Sequence, residues 1–326
     1  MGINGKIKSF FWHAKAMVFV VCFLLCGCTT TTKPKKSELP KIAVELVRFE
    51  ALFYGDLEVP LQKLKTTFPY LFPAFTDDTI WIEKRTDSLQ QVLYEATQSL
   101  PKNELKGRVE KVFKYAKFYF PSEKLPNKIV TLQTDVDYSL RAVDADSLLL
   151  ISIDTYLGDN HPLYEGIPKY IKETLSPNHL EAEIIDALSH RFLPKVEDRT
   201  FLAQCLHEGK RLMLHDYFAP DVLAIHKIQY SEKAWKWAET HESEIWRFFV
   251  DNEYLFSTNE NLKHRFLSPG PYSKFYTFLD TNSPGRIGQW IGYRIIQAYQ
   301  KRTGASLHQV LTTDTQELLK KSRYNP

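Results

Sequence analysis

The sequence predicts an α+β fold, a mostly helical single domain that contains a small mixed sheet. Two short runs rich in aliphatic residues, 128–134 and 147–153, have the composition of strands, and a third run at 41–49 opens the globular part. Segments with apolar residues at helical spacing surround these runs and dominate after residue 162. Because no internal repeat and no second linker interrupts residues 41–326, we expect one globular domain there.

The predicted elements follow one another in a simple order along this domain. The first strand precedes two helices, which flank a loop rich in aromatic residues and proline at 68–75. A third helix separates this region from the second and third strands, and the remainder is largely helical. The predicted helices cover residues 56–68, 86–100, 104–120, 162–175, 178–192, 198–217, 231–251 and 284–302.

Residues 1–27 have the pattern of a secretory signal that ends at a lipoprotein site. Three lysines precede an apolar core at 16–25, which is too short to span a membrane permanently. The residues at 25–28 are Leu-Cys-Gly-Cys and resemble a bacterial lipobox. This resemblance implies cleavage before Cys28 and attachment of diacylglycerol and a fatty acyl chain such as palmitate to that cysteine. The alternatives are an ordinary signal peptide with an incidental cysteine, or a short anchor helix.

Residues 28–40 are predicted to be the lipidated cysteine followed by a flexible tether, since they are polar and lack apolar periodicity. Thr29 follows the cysteine, and no aspartate retention signal stands at that position, which favours the outer membrane over the inner membrane. We therefore expect a protein of the cell envelope that contacts the membrane through its lipid anchor.

The composition of the mature chain argues against a nucleic-acid partner. Residues 1–27 contain three of the 42 basic side chains and none of the 39 acidic ones, so the mature chain has 39 of each. This balance provides no basic surface for nucleic acid. Once Cys28 is lipidated, Cys205 has no partner for an intramolecular disulfide, and its apolar helical surroundings predict a buried structural thiol.

The sequence contains no complete zinc-peptidase motif. Such a motif is His-Glu-x-x-His, which places two imidazoles one helical turn apart. His207 is followed by Glu208, but Arg211 stands where the second histidine is required. His241 is also followed by a glutamate, and Ile245 occupies the corresponding position.

A weaker ligand set could still form between two predicted helices. Asp186 and His190 are four residues apart in the predicted helix 178–192, and His207 and Glu208 lie on the next helix. Carboxylates and imidazoles suit zinc or iron, but no spacing rule enforces this set. We therefore expect no metal cofactor, with a zinc site at these four residues as the alternative.

Acidic residues are also concentrated at 135–159, where Asp135-Val136-Asp137 resembles the start of a calcium-binding loop. The glycine and the closing glutamate of an EF-hand are absent, so capping of turns is the simpler explanation. A calcium-stabilised module is kept as a further alternative.

The most unusual local pattern is a helix that Ser283 and Pro284 are predicted to begin. Glycines recur there at i, i+3 and i+7 from residue 285, and each costs a helix roughly 1 kcal/mol relative to alanine. This cost indicates a face that packs closely, either against another helix or against a ligand. A stripe with i, i+4 and i+8 spacing is the candidate partner-binding groove: Arg286, Trp290 and Arg294.

Several sequence blocks occur in order over nearly the whole mature chain. They are Phe72-Pro73, Trp81-Ile82, Val136-Asp137-Tyr138, 153–158, 164–170, 198–204, Gly209-Lys210, Glu244-Ile245-Trp246, 271–276 and 283–288. With these blocks the chain resembles the GldB family of gliding-motility lipoproteins from the Bacteroidota. The resemblance implies an exported lipoprotein required for gliding. Whether the protein also serves the secretion machinery on which gliding depends is left open. It implies no settled biochemical activity.

A fainter resemblance concerns the mechanism. Residues 288–296, together with Glu208 and its following glycine, are similar to proteins classed as zinc peptidases. That similarity would place 186–190 at the zinc-binding helix, with Ala187 in place of the glutamate base. It therefore implies a degenerate zinc-peptidase-like scaffold that lost catalysis and kept a groove.

We accordingly expect no catalytic residue and a role in binding envelope proteins of a gliding or secretion assembly. Aromatic side chains that look exposed in the sequence, at 68–75 and at tryptophans 235, 237 and 246, favour such binding. The alternative is a divergent metallopeptidase-like hydrolase that uses His190, His207 and Glu208.

The lipoprotein prediction is tested by replacing single cysteines. We expect Cys28→Ser to abolish incorporation of labelled palmitate in growing cells, because serine lacks the thiol to which the lipid is attached. The matched variant Cys26→Ser should still incorporate it, since this residue is removed with the signal peptide. Labelling that persists in Cys28→Ser would contradict the prediction.

Overall fold

A mixed four-stranded sheet runs through the described part of the chain, residues 33–326 of the computed structural model, with the strand order β1-β2-β4-β3. The first three strands in this order are parallel, and β3 pairs with β4 in the antiparallel direction. The strands are β1 (Glu45–Arg48), β2 (Lys128–Leu132), β3 (Ala142–Ala145) and β4 (Leu148–Ser152).

The α-helices account for most of the remaining regular structure, and the structure is 56% helical, which confirms the predicted α+β class. They are α1 (Leu61–Thr67), α2 (Asp78–Thr86), α3 (Ser88–Thr97), α4 (Lys102–Tyr119), α5 (Lys169–Lys172), α6 (Leu180–Leu188), α7 (Phe201–Phe218), α8 (Ala224–Lys227), α9 (Glu232–Thr240), α10 (Glu242–Asp251), α11 (Asn261–Phe266), α12 (Ile287–Thr303), α13 (Leu307–Thr312) and α14 (Thr315–Ser322). No helix among the described residues is both long and apolar enough to cross a bilayer.

Both faces of the sheet are covered by apolar side chains, because successive residues of a strand point to opposite faces. Ile129 and Leu149 are fully buried in the main core, which the helices α4, α6, α7 and α12 complete. Val130 and Leu150 belong to a second apolar cluster on the other face. The continuous apolar run at 147–153 therefore reflects a strand that is covered on both sides.

Aromatic rings build the second cluster. Phe49 packs edge-to-face against Phe68, with ring centroids 5.3 Å apart, and Phe72 packs against Trp81 at 5.0 Å. Phe68 and Phe72 are buried, whereas Tyr70 and Phe75 of the same loop are 47% and 102% exposed, so only part of the loop is the exposed surface that the sequence suggested. The three tryptophans of α9 and α10 are likewise half-buried against the main core.

The helices α7 and α12 cross at two glycines, in the most extensive helix–helix contact of the described chain. A Cβ atom at Gly292 would lie 1.7 Å from the carbonyl oxygen of Cys205, and one at Gly209 would lie 2.4 Å from the carbonyl carbon of Gly292. The backbones therefore touch directly, which confirms close internal packing for this part of the glycine pattern. Cys205 is buried beside the crossing, as predicted.

Two predicted helix boundaries are wrong, for reasons that lie in side-chain hydrogen bonds. The predicted helix 178–192 ends at Leu188, where the Ser189 hydroxyl donates to the carbonyl of Asp186 at 2.8 Å. The helix predicted to begin at Ser283 begins at Ile287 instead. Ser283 donates to the carbonyl oxygen of Ser273 at 3.0 Å and ties two loops together.

Other elements differ from the prediction because they are short or interrupted. The edge strand β3 was not predicted, since alanines and Asp144 have low strand propensity. The predicted helix 231–251 is divided at His241, whose ring stacks on Trp237 with centroids 4.4 Å apart. The helices α2, α8, α11, α13 and α14 were also not predicted.

The helix crossing predicts a large effect of a small substitution. Gly292→Ala should lower the free energy of unfolding by at least about 3 kcal/mol, because the new methyl group overlaps the backbone of α7. The measurement is equilibrium urea unfolding of the mature chain.

The matched control is the same substitution at Gly107, which lies on the exposed side of α4 with no atom within 4 Å of an added Cβ. There alanine should raise the free energy of unfolding by about 0.5–1 kcal/mol. Equal effects at the two positions would show that the crossing does not require glycine.

Candidate functional site

Two adjoining cavities meet at Arg286, with volumes of about 270 and 440 Å³. We call them together the Arg286 groove. The residues that line both cavities are Tyr170, Thr174, Gln229, Pro269 and Arg286. They come from four separate segments of the chain, so the groove exists only in the folded protein.

Arg286 has a backbone conformation that is uncommon for its residue type. It precedes the first residue of α12 with φ 63° and ψ 21°, in the left-handed region. This conformation costs a residue with a Cβ roughly 1 kcal/mol, so the surrounding structure must hold it in place. The carbonyl oxygen of Arg286 accepts hydrogen bonds from Gln289 and Trp290, which fixes the residue to the first turn of the helix.

The loop before Arg286 is held by two further contacts. A Cβ at Gly285 would lie 2.6 Å from the carbonyl oxygen of Gly270, so the two loops approach each other backbone to backbone. The Tyr230 hydroxyl donates to the carbonyl oxygen of Gly285 at 2.8 Å. These contacts fix the position of Arg286 before any ligand arrives.

The guanidinium of Arg286 has neutral partners. Its Nη1 donates to the carbonyl oxygen of Ile228 at 3.3 Å and to the side-chain oxygen of Gln229. Within residues 33–326, no carboxylate lies within 4 Å of it, and its Nε and Nη2 make no hydrogen bond. Burial lowers the pKa of Arg286 and Glu183 partly restores it, but an arginine stays protonated at neutral pH.

One acidic side chain of the groove, Glu183, is already engaged by another arginine. Arg141 is buried, and its Nη1 lies 2.7 Å from a carboxylate oxygen of Glu183. The same carboxylate accepts a hydrogen bond from the amide of Gln229. Arg141 also donates to the carbonyl oxygen of Thr174 at 2.6 Å. Glu183 thus balances Arg141 and leaves the charge of Arg286 without a direct counterion.

Arg211 lies between two of the candidate metal ligands and binds both. It pairs with Asp186 through Nη1 and with Glu208 through Nε at 2.8 Å. His215 Nε2 lies 2.6 Å from the same Asp186 oxygen. Burial raises the pKa of Asp186, but the charges of Arg211 and His215 outweigh it and lower the pKa overall. A guanidinium is therefore already paired with both carboxylates, and the arrangement does not fit a metal ion.

The candidate ligand His190 lies elsewhere. Because α6 ends before it, its exposed ring approaches Asp144, at 3.4 Å from Nε2, instead of Asp186. His207 is half-buried on α7, and burial lowers its pKa. Across residues 33–326, no three His, Cys, Asp or Glu side chains are arranged to hold a metal ion. The structure thus gives no support to the metallopeptidase alternative.

The acidic segment at 135–159 does not converge on a calcium site either. Asp154 is buried and accepts hydrogen bonds from the backbone N–H groups of Thr134 and Val136, at 2.9 and 2.8 Å. Burial raises the pKa of Asp154, although these two donors act in the opposite direction. Asp135 instead pairs with Lys84 at 2.7 Å.

The structure corrects the expectation that Arg286, Trp290 and Arg294 share one cleft. Trp290 is fully buried and packs edge-to-face on Trp235, with centroids 4.7 Å apart. Arg294 pairs with Glu242 at 3.0 Å, away from the groove lining. At 3.6 residues per turn, two residues eight positions apart differ in direction by about 80° around the helix axis. Only the first residue of the stripe, Arg286, therefore lines the groove.

Several residues of the groove were missed by sequence reasoning. Thr174, Glu183 and Gln229 stand in unremarkable local sequence, and Arg141 follows a loop that was assigned to turn capping. The Pro-Gly-Pro run at 269–271 is a turn signal that could have been noted. It did not indicate which arginine the turn would meet.

The Arg211 network predicts a stability effect of charge removal. Arg211→Met keeps the length of the side chain but leaves Asp186 and Glu208 without their cation. We expect the free energy of unfolding to fall by about 2–3 kcal/mol at pH 7. The control is Lys321→Met, which removes an exposed pair with Glu317 and should leave the free energy of unfolding nearly unchanged.

The pH dependence of that loss identifies its origin. The folded-state pKa of Asp186 is depressed, so its stabilising contribution is present above the unfolded value near 4 and disappears as the pH falls below it. Urea unfolding should therefore show the difference between wild type and Arg211→Met narrowing below about pH 4. A difference that is independent of pH would assign the loss to packing.

Comparison with known proteins gives one family. The profile of a family described as gliding motility protein GldB matches residues 29–326. No curated protein and no solved structure matches the chain.

Proposed function

The chain belongs to the GldB family of gliding motility proteins, a lipoprotein-type family, and from this we propose that it serves gliding by holding a partner protein in the Arg286 groove. In this proposal it acts as a lipid-anchored component of the cell envelope and catalyses no reaction. The observation that carries the proposal is the charge of Arg286, which has no direct counterion in a preformed groove.

The composition of the groove supports protein binding. Arginine and tyrosine are enriched among the residues that dominate binding energy at protein interfaces. The groove presents Arg286 together with three tyrosines at its rim: Tyr138 is 43% exposed, Tyr272 is 42% exposed and Tyr170 is half-buried. Their rings offer apolar contact area at a low cost in side-chain entropy, and the cation supplies specificity.

The residues that a hydrolase would need are committed to other contacts. Asp186 and Glu208 are both paired with Arg211, and His190 approaches Asp144. Burial raises the pKa of the Cys205 thiol well above its usual value, which keeps it from acting as a nucleophile. These contacts favour a binding role over a catalytic one.

The anchor is proposed to be a lipid on Cys28. The family match begins at residue 29, directly after this cysteine, which agrees with cleavage before it. The residue at position 29 is a threonine, and on that basis we place the protein in the outer membrane. Partners in the secretion machinery on which gliding depends are included in the proposal.

A substitution at the groove tests the function in cells. The chromosomal gene is replaced by one that encodes the Arg286→Gln variant. We expect these cells to stop gliding, because the uncharged amide cannot pair with an anionic group of the partner. The measurement is colony spreading and single-cell movement, with immunoblots to show that the lipoprotein remains abundant.

The matched control is Arg302→Gln, which removes an exposed arginine from the last turn of the same helix and should leave gliding unchanged. A photo-crosslinking residue at Tyr272 should capture a partner protein, and one at exposed Tyr70, outside the groove lining, should not. Normal gliding in abundant Arg286→Gln cells would overturn the groove proposal.

A further inference from the structure

We propose that Arg286 binds a carboxylate group, carried by the segment of the partner that enters the groove. This inference rests on the proposed function, since both place a ligand in the Arg286 groove. It adds the chemistry that recognises the ligand: one planar, singly charged anion held by one guanidinium.

The donors of Arg286 are arranged for such a ligand. Its Nη1 is occupied by Ile228 and Gln229, which anchor the side chain. The two donors without a partner in the described chain, Nε and Nη2, lie on one edge of the planar guanidinium. That edge matches the two oxygens of a carboxylate, with two parallel hydrogen bonds.

Among the arginines at the groove, Arg286 is the one without a carboxylate in direct contact within the described chain. Glu183 is balanced by Arg141, and Asp186 by Arg211. Asp280, in the wall of the smaller cavity, accepts backbone hydrogen bonds from Phe275 and Tyr276 at 2.6 and 3.1 Å. Glu173, in the same wall, pairs with Lys169 at 3.7 Å. The carboxylates that line the groove are therefore engaged by other donors, and none of them pairs directly with Arg286.

The same balance favours a carboxylate over a phosphate. A carboxylate brings one negative charge and two oxygens, which match the single charge and the free edge of the Arg286 guanidinium. A phosphate group carries nearly two charges at neutral pH, and Glu183 and Asp186 in the wall of the larger cavity would repel it more strongly than they repel a carboxylate. The 17-residue helix α12 begins next to Arg286, and its dipole adds a modest attraction for an anion there.

Two sources of a carboxylate fit the groove, namely the free C-terminus of a partner chain and an acidic side chain. Three capped peptides distinguish them: N-acetyl-alanyl-alanine, its C-terminal amide, and N-acetyl-aspartyl-alanine amide. Inorganic phosphate is the competing anion. The protein is the lipidated mature chain in detergent micelles.

The readout is the Nε–Hε NMR signal of Arg286 in protein labelled with ¹⁵N-arginine, assigned by its loss in Arg286→Gln. We expect a saturable shift of this signal with at least one of the two carboxylate peptides. The neutral amide should cause none, and phosphate should bind at least tenfold more weakly. Arg286→Lys keeps the positive charge but loses the two parallel donors of the guanidinium. It should weaken peptide binding at least tenfold, as measured by calorimetry. The control Arg302→Gln should leave peptide binding unchanged.

Saturation by the first peptide alone assigns a C-terminus, and saturation by the third assigns a side chain, so either result supports the proposal. No saturable shift with either carboxylate, or binding of phosphate as tight as theirs, would overturn it. If Arg286→Gln stops gliding and no carboxylate peptide binds, the proposal of a carboxylate ligand is wrong while the proposal of a partner-binding groove stands. If carboxylates bind and Arg286→Gln cells glide normally, the proposed function fails while the anion site stands.

Discussion

The contact between Gly209 and Gly292 is the constraint on which the candidate site depends. With no side chain at either position, the backbones of α7 and α12 lie against each other. Arg211 on α7 can then donate to the side-chain oxygen of Gln289 on α12 at 3.0 Å, and Arg286 is brought to the groove at the start of α12. A wider crossing would separate these polar contacts as well as the apolar core, so one backbone contact positions both the buried ion pairs and the groove.

Three arginines in this region have different roles because they have different partners. Arg211 is held by two carboxylates, and Arg141 by Glu183 and Thr174. Arg286 is held by neutral oxygens, although the fold brings it into the same polar region. Desolvating a cation without a counterion is unfavourable, and a left-handed backbone adds to this cost. Binding of the proposed carboxylate would offset this cost.

Much of the architecture follows from short-range patterns. The three strand runs at 41–49, 128–134 and 147–153 were predicted because aliphatic residues concentrate there, and the long helices because their apolar residues recur at helical spacing. The short helices and the edge strand β3 escaped prediction, since their stability comes from neighbours that are distant in sequence. Helix ends were missed where a serine hydroxyl competes with the backbone, as Ser189 does after α6.

The sequence by itself determined the family, the α+β class, the lipoprotein pattern that ends at Cys28, and the unusual density of glycines in α12. The tertiary structure decided which of these residues can meet a ligand. Helical spacing placed Trp290 beside Arg286, yet packing against Trp235 buries one while the loops leave the other open. Whether the charge of an arginine has a counterion depends on carboxylates from segments that are remote in the sequence. The local sequence does not show how close those segments come in the fold.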